Sequence, residues 1–279
     1  IAVTDFGSNL DQLAQSRGFL KIFHAPPDIG GRFSAFTFFG TVPPFLGGAE
    51  LKNLITYAQN EKKNNEASVP EQEADGIVLG ALLGELALAG KDKLTFITDP
   101  SLAYFSYWLE QLIAESLGKK GKGIIPVVDE PKAPIDRYGK DRVFINITQG
   151  RDGQKQNKQF VESLVSKGFP VLDFNLENKF SLGRELYRWE IAVSACGAVL
   201  GVNPFNQPDV QRSKEFTRKA MEKDAAETIS GIKSISIDDK EAVRKAIRET
   251  FQKAEEDHYF SLQAYLHQTS ELNLSLIHI

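Results

Sequence analysis

Short apolar runs alternate with helical stretches through the middle of the chain, and this alternation limits the fold more than any other feature of the sequence. Strands are predicted over 94–98, 143–147 and 171–174, because each run consists mainly of apolar or β-branched residues. Apolar residues at helical spacing fill the intervals, over 105–115 and 156–166. This strand–helix–strand order predicts an α/β fold with a parallel sheet.

Further helices are predicted on either side of this segment. A long helix is expected over 182–202, a second begins with Pro208 in its first turn, and a third spans 236–257 with Asp238 as its cap. The run that follows, 259–266, is apolar and predicts a further strand.

Three glycines mark one more predicted helix. Gly76, Gly80 and Gly84 recur at every fourth residue, so on a helix they form one stripe of small residues. Such a stripe lets another helix or a sheet approach closely. Packing inside a folded domain is the favoured interpretation, ahead of membrane dimerisation.

Composition excludes several classes of protein. Of the 279 residues 42% are hydrophobic and 25% are charged, so the chain can bury a large core and is neither collagen-like nor wholly disordered. The net charge of −4 argues against a nucleic-acid binder. One cysteine, Cys196, excludes a disulfide framework and a cysteine-rich zinc site. The longest uncharged apolar stretch, 76–84, is well short of the ~18 residues of a membrane span.

The ends of the sequence are unlike those of a complete protein. The chain opens on a strand-like run, 1–5, without an initiator methionine, and its only methionine is Met221. It closes on an apolar tail, 274–279, that resembles translated adapter sequence. We therefore expect a fragment, and with no secretory signal pattern the expected compartment is the reducing cytoplasm.

Three segments carry recognisable chemistry. In 28–34 (DIGGRFS), two glycines precede an arginine at a loop junction, which lets the backbone approach an anionic ligand beside a permanent charge. In 114–119 (AESLGK), a carboxylate at a helix end could act as a base. The third is 201–214 (GVNPFNQPDVQRSK). Taken singly, each also fits an ordinary surface: a turn with a solvated arginine, an exposed glutamate, and a helix–turn–helix connection.

In this order and spacing, the three segments resemble the phosphoglucose isomerase family. GGRFS is similar to the first signature of that family, GVNPFNQPDVQRSK to the second, and AESLGK to the segment with the catalytic glutamate. The WEIA stretch at 189–192 also fits. The resemblance covers about 1–223, and it is strongest to the isomerase part of bacterial fusions of transaldolase with glucose-6-phosphate isomerase.

The resemblance implies a three-layer, parallel-sheet sugar isomerase (SIS) fold. It assigns 1–31 to the end of a first SIS domain, 32–230 to a nearly complete second SIS domain with the catalytic segments, and 231–279 to the start of a truncated C-terminal module. It also implies a homodimer.

The resemblance implies interconversion of glucose 6-phosphate and fructose 6-phosphate. Glu115 matches the base that moves a proton between C2 and C1 through a cis-enediol, which suits a carboxylate because one group must take and return the proton on one face. Arg32 matches the cation that stabilises the enediolate oxygens. This chemistry needs a base, a cation and a proton donor, so no metal or organic cofactor is expected.

Other positions match the substrate pocket of the family. Lys214 matches the lysine that helps to open the pyranose ring, and Gln207 a glutamine of the pocket. Gly30 and Gly31 would hold the backbone against the sugar.

Two departures from the family pattern stand out. Aligning Pro126 and Gly139 with the bacterial pattern places Asp136 where the ring-opening histidine is expected, so either Asp136 acts or a histidine comes from sequence beyond this chain; we favour the second. His24 is a weaker candidate, for which a packing role is favoured. The Ser/Thr-rich loop that grips the substrate phosphate is expected upstream of residue 1.

Two alternatives stay open at this point. The chain could belong to a non-catalytic SIS-type sensor of sugar phosphates, which the missing histidine favours and the joint presence of Glu115, Arg32 and Lys214 opposes. It could also belong to an isomerase that accepts mannose 6-phosphate as well.

Overall fold

A computed structural model describes residues 1–222, 235–253 and 267. The chain divides into two compact units, Ile1–Arg212 and Ser213–Ile279. The described strands are β1 Ala2–Asp5, β2 Ile22–Ala25, β3 Lys93–Thr98, β4 Ile125–Val127, β5 Arg142–Gln149 and β6 Val171–Leu176. The described helices are α1 Asn9–Ser16, α2 Phe38–Leu46, α3 Leu51–Asn64, α4 Asp75–Leu88, α5 Ala103–Leu117, α6 Gly150–Ser166, α7 Leu182–Leu200, α8 Pro208–Glu222 and α9 Lys240–Gln252.

The main sheet of the first unit has four parallel strands in the order β4-β3-β5-β6. Its three longer strands contain the three predicted runs, so the predicted parallel sheet is confirmed. Strand β4 was not predicted, because it has only three residues and Pro126 is one of them.

Side chains of the sheet alternate between two cores. Val143, Ile145 and Ile147 of β5 face the larger core, which α4, α5 and α7 cover, whereas Phe144 faces a smaller core under α6. A parallel sheet is stable when both of its faces are covered in this way. The three layers confirm the predicted fold class.

The glycine stripe lies against α7. A Cβ on Gly80 would overlap the backbone carbonyl of Ala192, and a Cβ on Gly84 would lie 2.7 Å from Val199 Cβ. Gly76 meets Ile191 in the same way, at 2.9 Å. The predicted close approach is confirmed, and the partner element is a helix.

Gly80→Ala is expected to lower the free energy of unfolding by about 1–3 kcal/mol, because the added methyl group overlaps backbone that cannot rotate away. Alanine in place of a helical glycine otherwise gains ~1 kcal/mol. Urea unfolding measures the change. The control is Gly153→Ala in α6, whose Cβ would meet the movable Asp99 carboxylate at 2.6 Å. Equal stability of the Gly80 variant and the parent would contradict the packing argument.

The first 25 residues form a separate two-stranded parallel sheet, β1-β2, with α1 packed on β1. The strand-like run at 1–5 is confirmed as strand β1. The domain boundaries at residues 31 and 230 stay predictions.

The described part of the second unit contains the end of α8 and all of α9. The predicted cap of α9 was wrong by one position: Asp239, rather than Asp238, accepts the Ala242 N–H at 2.9 Å, because the helix begins at Lys240. The strand predicted over 259–266 and the tail at 274–279 lie outside the described residues. Among the residues that are described, no helix combines the length and apolarity needed to cross a membrane.

Candidate active site

The side chain of Arg32 is buried and held by four hydrogen bonds. Its Nε donates to Ser116 Oγ at 2.7 Å, and its Nη2 donates to the carbonyl oxygens of Pro204 at 2.6 Å and Asn206 at 2.9 Å. Its Nη1 donates to Gln207 Oε1 at 3.0 Å. The residue is 3% exposed. These bonds use four of the five guanidinium N–H groups and leave one on Nη1.

The remaining N–H group belongs to the atom nearest to Glu115. Arg32 Nη1 lies 3.6 Å from Glu115 Oε2, and the Glu115 side chain keeps 34% of its surface exposed. Gln111 Nε2 donates to the other carboxylate oxygen at 3.4 Å. Burial lowers the pKa of Arg32 and the Glu115 carboxylate raises it, with a net lowering. Arginine nevertheless stays charged at neutral pH.

Helix ends supply the groups that hold Arg32. Helix α7 ends at Leu200 and is capped by Gly201, whose φ of 68° is in the left-handed region, and the Val202 N–H donates to the Gly197 carbonyl at 2.9 Å. Asn203 Oδ1 then accepts the Phe205 N–H at 2.9 Å, which turns the chain again. The two turns present backbone carbonyls toward the guanidinium.

A cavity of ≈ 250 Å³ opens beside this cluster. Its lining includes Glu115, Lys119, Gln207 and Asp209. A carboxylate that can accept a proton therefore faces a small space next to a fixed cation.

Curated proteins include relatives of this chain. It is 30% identical over 232 residues to glucose-6-phosphate isomerase of Lactococcus lactis subsp. cremoris, with 70% of this chain and 52% of that protein covered. It is 29% identical over 254 residues to glucose-6-phosphate isomerase of Parabacteroides distasonis, with 77% and 56% covered. The chain is a homologue of the glucose-6-phosphate isomerases. It spans about half the length of the curated relatives it matches.

Solved structures share the fold. A glucose-6-phosphate isomerase from Chlamydia trachomatis superposes with a TM-score of 0.62 at 21% identity, covering 90% of this chain and 55% of that one. A hypothetical protein from Thermus thermophilus superposes with a TM-score of 0.67 at 23% identity, covering 79% and 62%. No protein-family model matches the chain.

Three of the residues that the isomerase resemblance singled out come together in this homologue. Arg32, Glu115 and Gln207 meet around one guanidinium although 83 and 92 residues separate them in sequence. Gly30 and Gly31 directly precede Arg32, and within the described residues a Cβ on either would meet no atom within 4 Å. The packing of the described chain therefore does not require glycine there, and the substrate-contacting role stays a prediction.

The structure does not bring Asp136 to this cluster. Asp136 is exposed on a short 3₁₀ turn, and its neighbours Ile135 and Tyr138 pack on the smaller core, under α6. Glu115 belongs to α5, which covers the opposite face of the sheet. The alignment that suggested Asp136 used Pro126 and Gly139 of the family pattern, whereas the connection from β4 to β5 runs over the other face of the sheet.

The remaining predicted groups are His24 and Lys214. His24 Nε2 lies 2.9 Å from Asp11 Oδ1, and its ring meets Phe6 edge-on, which fits the packing role. Lys214 is exposed on α8, in the second unit, and its ring-opening role stays a prediction.

Two residues beside Glu115 were missed as site residues. Ser116 is fully buried and accepts from Arg32, and Lys119 is only 7% exposed. Lys119 Nζ donates to the carbonyl oxygen of Glu115 at 3.0 Å and to that of Ser116. The position of Lys119 just past the end of a predicted helix could have indicated that it interacts with the last carbonyls of that helix.

Proposed function

We propose that the protein containing this chain interconverts glucose 6-phosphate and fructose 6-phosphate. The observation that carries the proposal is that Glu115 and Gln207, which line one cavity, both contact the buried guanidinium of Arg32. The names of the curated relatives support the same reaction.

Glu115 is assigned the role of general base. Its carboxylate takes the proton from C2 of the open-chain aldose and returns it to C1, so that a cis-enediol lies between aldose and ketose. The half-buried position suits this role, because the carboxylate faces the cavity while its helix fixes its direction. The same group acts in both directions of the reaction, as an isomerase requires.

Arg32 is assigned the stabilisation of the enediolate. Its four hydrogen bonds are already made, so the guanidinium does not reorganise when negative charge develops on the O1 and O2 atoms of the sugar. The remaining N–H group of Nη1 is the donor for that charge. Gln207 fixes Nη1 through its Oε1 and keeps its amide N–H groups for sugar hydroxyls.

The rest of the proposal completes the reaction. Lys214 assists ring opening, and Gly30 and Gly31 let the sugar approach the backbone. We assign the phosphate contacts and the ring-opening histidine to other parts of the intact protein, since Asp136 lies on the other face of the sheet.

The finer placement follows the sequence resemblance. The intact protein is proposed to be a cytoplasmic, homodimeric enzyme of glycolysis and gluconeogenesis, fused to a transaldolase. Its SIS domains are proposed to divide at residue 31, with a C-terminal module from residue 231. No metal or organic cofactor takes part in the proposed steps.

Hydrogen exchange tests the reaction. The intact protein, incubated with fructose 6-phosphate in heavy water, is expected to form glucose 6-phosphate with deuterium at C2, which NMR detects. A sugar-phosphate sensor would bind fructose 6-phosphate in calorimetry and leave its carbon-bound hydrogens unexchanged, which would overturn the proposal. Parallel runs with mannose 6-phosphate define the substrate range.

A further inference from the structure

Lys119 is a buried cation that the steps above do not use. It lies just past the end of α5, with 7% of its surface exposed, and its ammonium group donates to the carbonyl oxygens of Glu115 and Ser116. It also lines the cavity that Glu115 faces. Removing an ammonium group from water costs free energy, so other interactions must compensate for the burial of Lys119.

The end of α5 is an unfavourable place for a carboxylate. Glu115 lies in the last turn, where the unpaired carbonyls carry the negative end of the helix dipole. The field of the helix dipole destabilises a negative side chain at this end. Lys119 places a positive charge on those carbonyls and so cancels the unfavourable field.

The charges around Glu115 come from three elements. Arg32 approaches from the 3₁₀ turn Gly31–Phe33, Lys119 from the end of α5, and Asp209 from the first turn of α8. Burial lowers the pKa of Lys119, and the neighbouring Arg32 lowers it further, against smaller raising effects of Asp209 and Glu115. Two cations, Arg32 and Lys119, therefore lie near the one carboxylate of Glu115, and they repel each other.

We infer that Lys119 is a positioning residue that keeps the Glu115 carboxylate ionised and fixes the last turn of α5. The inference rests on the proposed function, because Glu115 is the base only if the isomerase reaction occurs. Lys119 acts through Glu115 and does not itself exchange a proton with the sugar.

Lys122 is a matched control in the same loop. Its Nζ donates to the Leu200 carbonyl at 2.9 Å, so it caps the end of α7 as Lys119 caps the end of α5. Among the described residues, no hydrogen bond or ion pair joins Lys122 to Glu115. A purely structural role for helix-capping lysines predicts that Lys119→Met and Lys122→Met behave alike.

The test compares pH profiles of kcat/KM in the intact protein. Lys119→Met is expected to move the acid limb to higher pH by about one unit, so that kcat/KM on that limb falls about tenfold while its value at neutral pH changes little. Lys122→Met and the charge-preserving Lys119→Arg are expected to keep the acid limb of the parent. An unmoved acid limb in a folded Lys119→Met variant, or equal movement in Lys119→Arg, would overturn the inference.

A second readout does not depend on activity. Carbon-detected NMR follows ionisation of the Glu115 side-chain carboxyl with pH in the parent and in Lys119→Arg and Lys119→Gln. We expect protonation at higher pH in Lys119→Gln alone. If the protein catalyses no isomerisation but this difference is seen, the proposed function fails and the electrostatic role of Lys119 stands. Identical titrations in all three proteins would refute that role.

Discussion

Glu115→Gln is expected to lower kcat for the conversion of fructose 6-phosphate by about 10⁴-fold, the upper range for removal of a general base. Glutamine keeps the shape of the side chain and a hydrogen-bonding oxygen, but it cannot take a proton at neutral pH. KM should change by a few-fold at most, because Gln207 and the backbone of the Arg32 loop remain in place. A coupled spectrophotometric assay measures both constants.

The fold should survive this substitution. The Glu115 side chain is one-third exposed, and its contact with Arg32 is a 3.6 Å ion pair, so the loss in unfolding free energy should stay near ~1 kcal/mol. Glu110→Gln, an exposed carboxylate on the same helix, is the matched control and should keep parental turnover. Turnover of the Glu115 variant within tenfold of the parent would remove Glu115 as the base.

The fold was predictable where apolar runs are long and uninterrupted. β3, β5 and β6 each contain such a run, and a stripe of glycines marked the contact of α4. Helix α2 escaped prediction because Pro43 and Pro44 lie inside it, and proline normally argues against a helix interior. β4 escaped because three residues carry too little periodicity.

The site was predictable only as separate motifs. The sequence indicated Arg32, Glu115 and Gln207 as residues of interest, but it did not predict three of the four hydrogen-bond acceptors of Arg32. Two of these are backbone carbonyls, which any residue carries, and the third is a serine hydroxyl hidden inside a helix. For Asp136, alignment with the family pattern matched it to the expected histidine, although a histidine from outside this chain was favoured; the β4–β5 connection carries Asp136 to the other face of the sheet.

The second large effect concerns a cluster of charges away from the site. Arg188 of α7 joins three helices: its Nε lies 3.3 Å from Glu61 on α3, its Nη2 lies 3.0 Å from Asp75 on α4, and its Nη1 lies 3.1 Å from Glu185 on α7. Glu61 and Glu185 are each 1% exposed. Burial raises the pKa of Glu185, against the lowering effects of Arg188 and Arg184.

Arg188→Met is expected to lower the free energy of unfolding by about 3–5 kcal/mol at pH 7, because it leaves two buried carboxylates without their shared cation. This is a large share of the ~5–15 kcal/mol that stabilises a typical domain. Arg142→Met is the control: Arg142 pairs with Glu130 at 2.7 Å, but the side chains are 18% and 29% exposed, so the cost should be near ~1 kcal/mol. Chemical denaturation measures both.

The pH dependence of this loss separates unpaired charge from lost packing. Without Arg188, the pKa of Glu185 in the folded state rises further above its unfolded value, so the folded protein binds more protons than the unfolded one. Stability of the variant relative to the parent should therefore fall as pH rises above the ordinary glutamate pKa of about 4.3, and the deficit should be smallest near pH 4. A deficit that is constant from pH 4 to pH 7 would attribute the effect to lost contacts of the arginine stem. A double variant, Arg188→Met with Glu61→Gln, gives a second check. Glutamine keeps the volume of the glutamate side chain and removes its charge. If the buried charge of Glu61 causes the loss of stability in Arg188→Met, the double variant should recover part of that loss at pH 7.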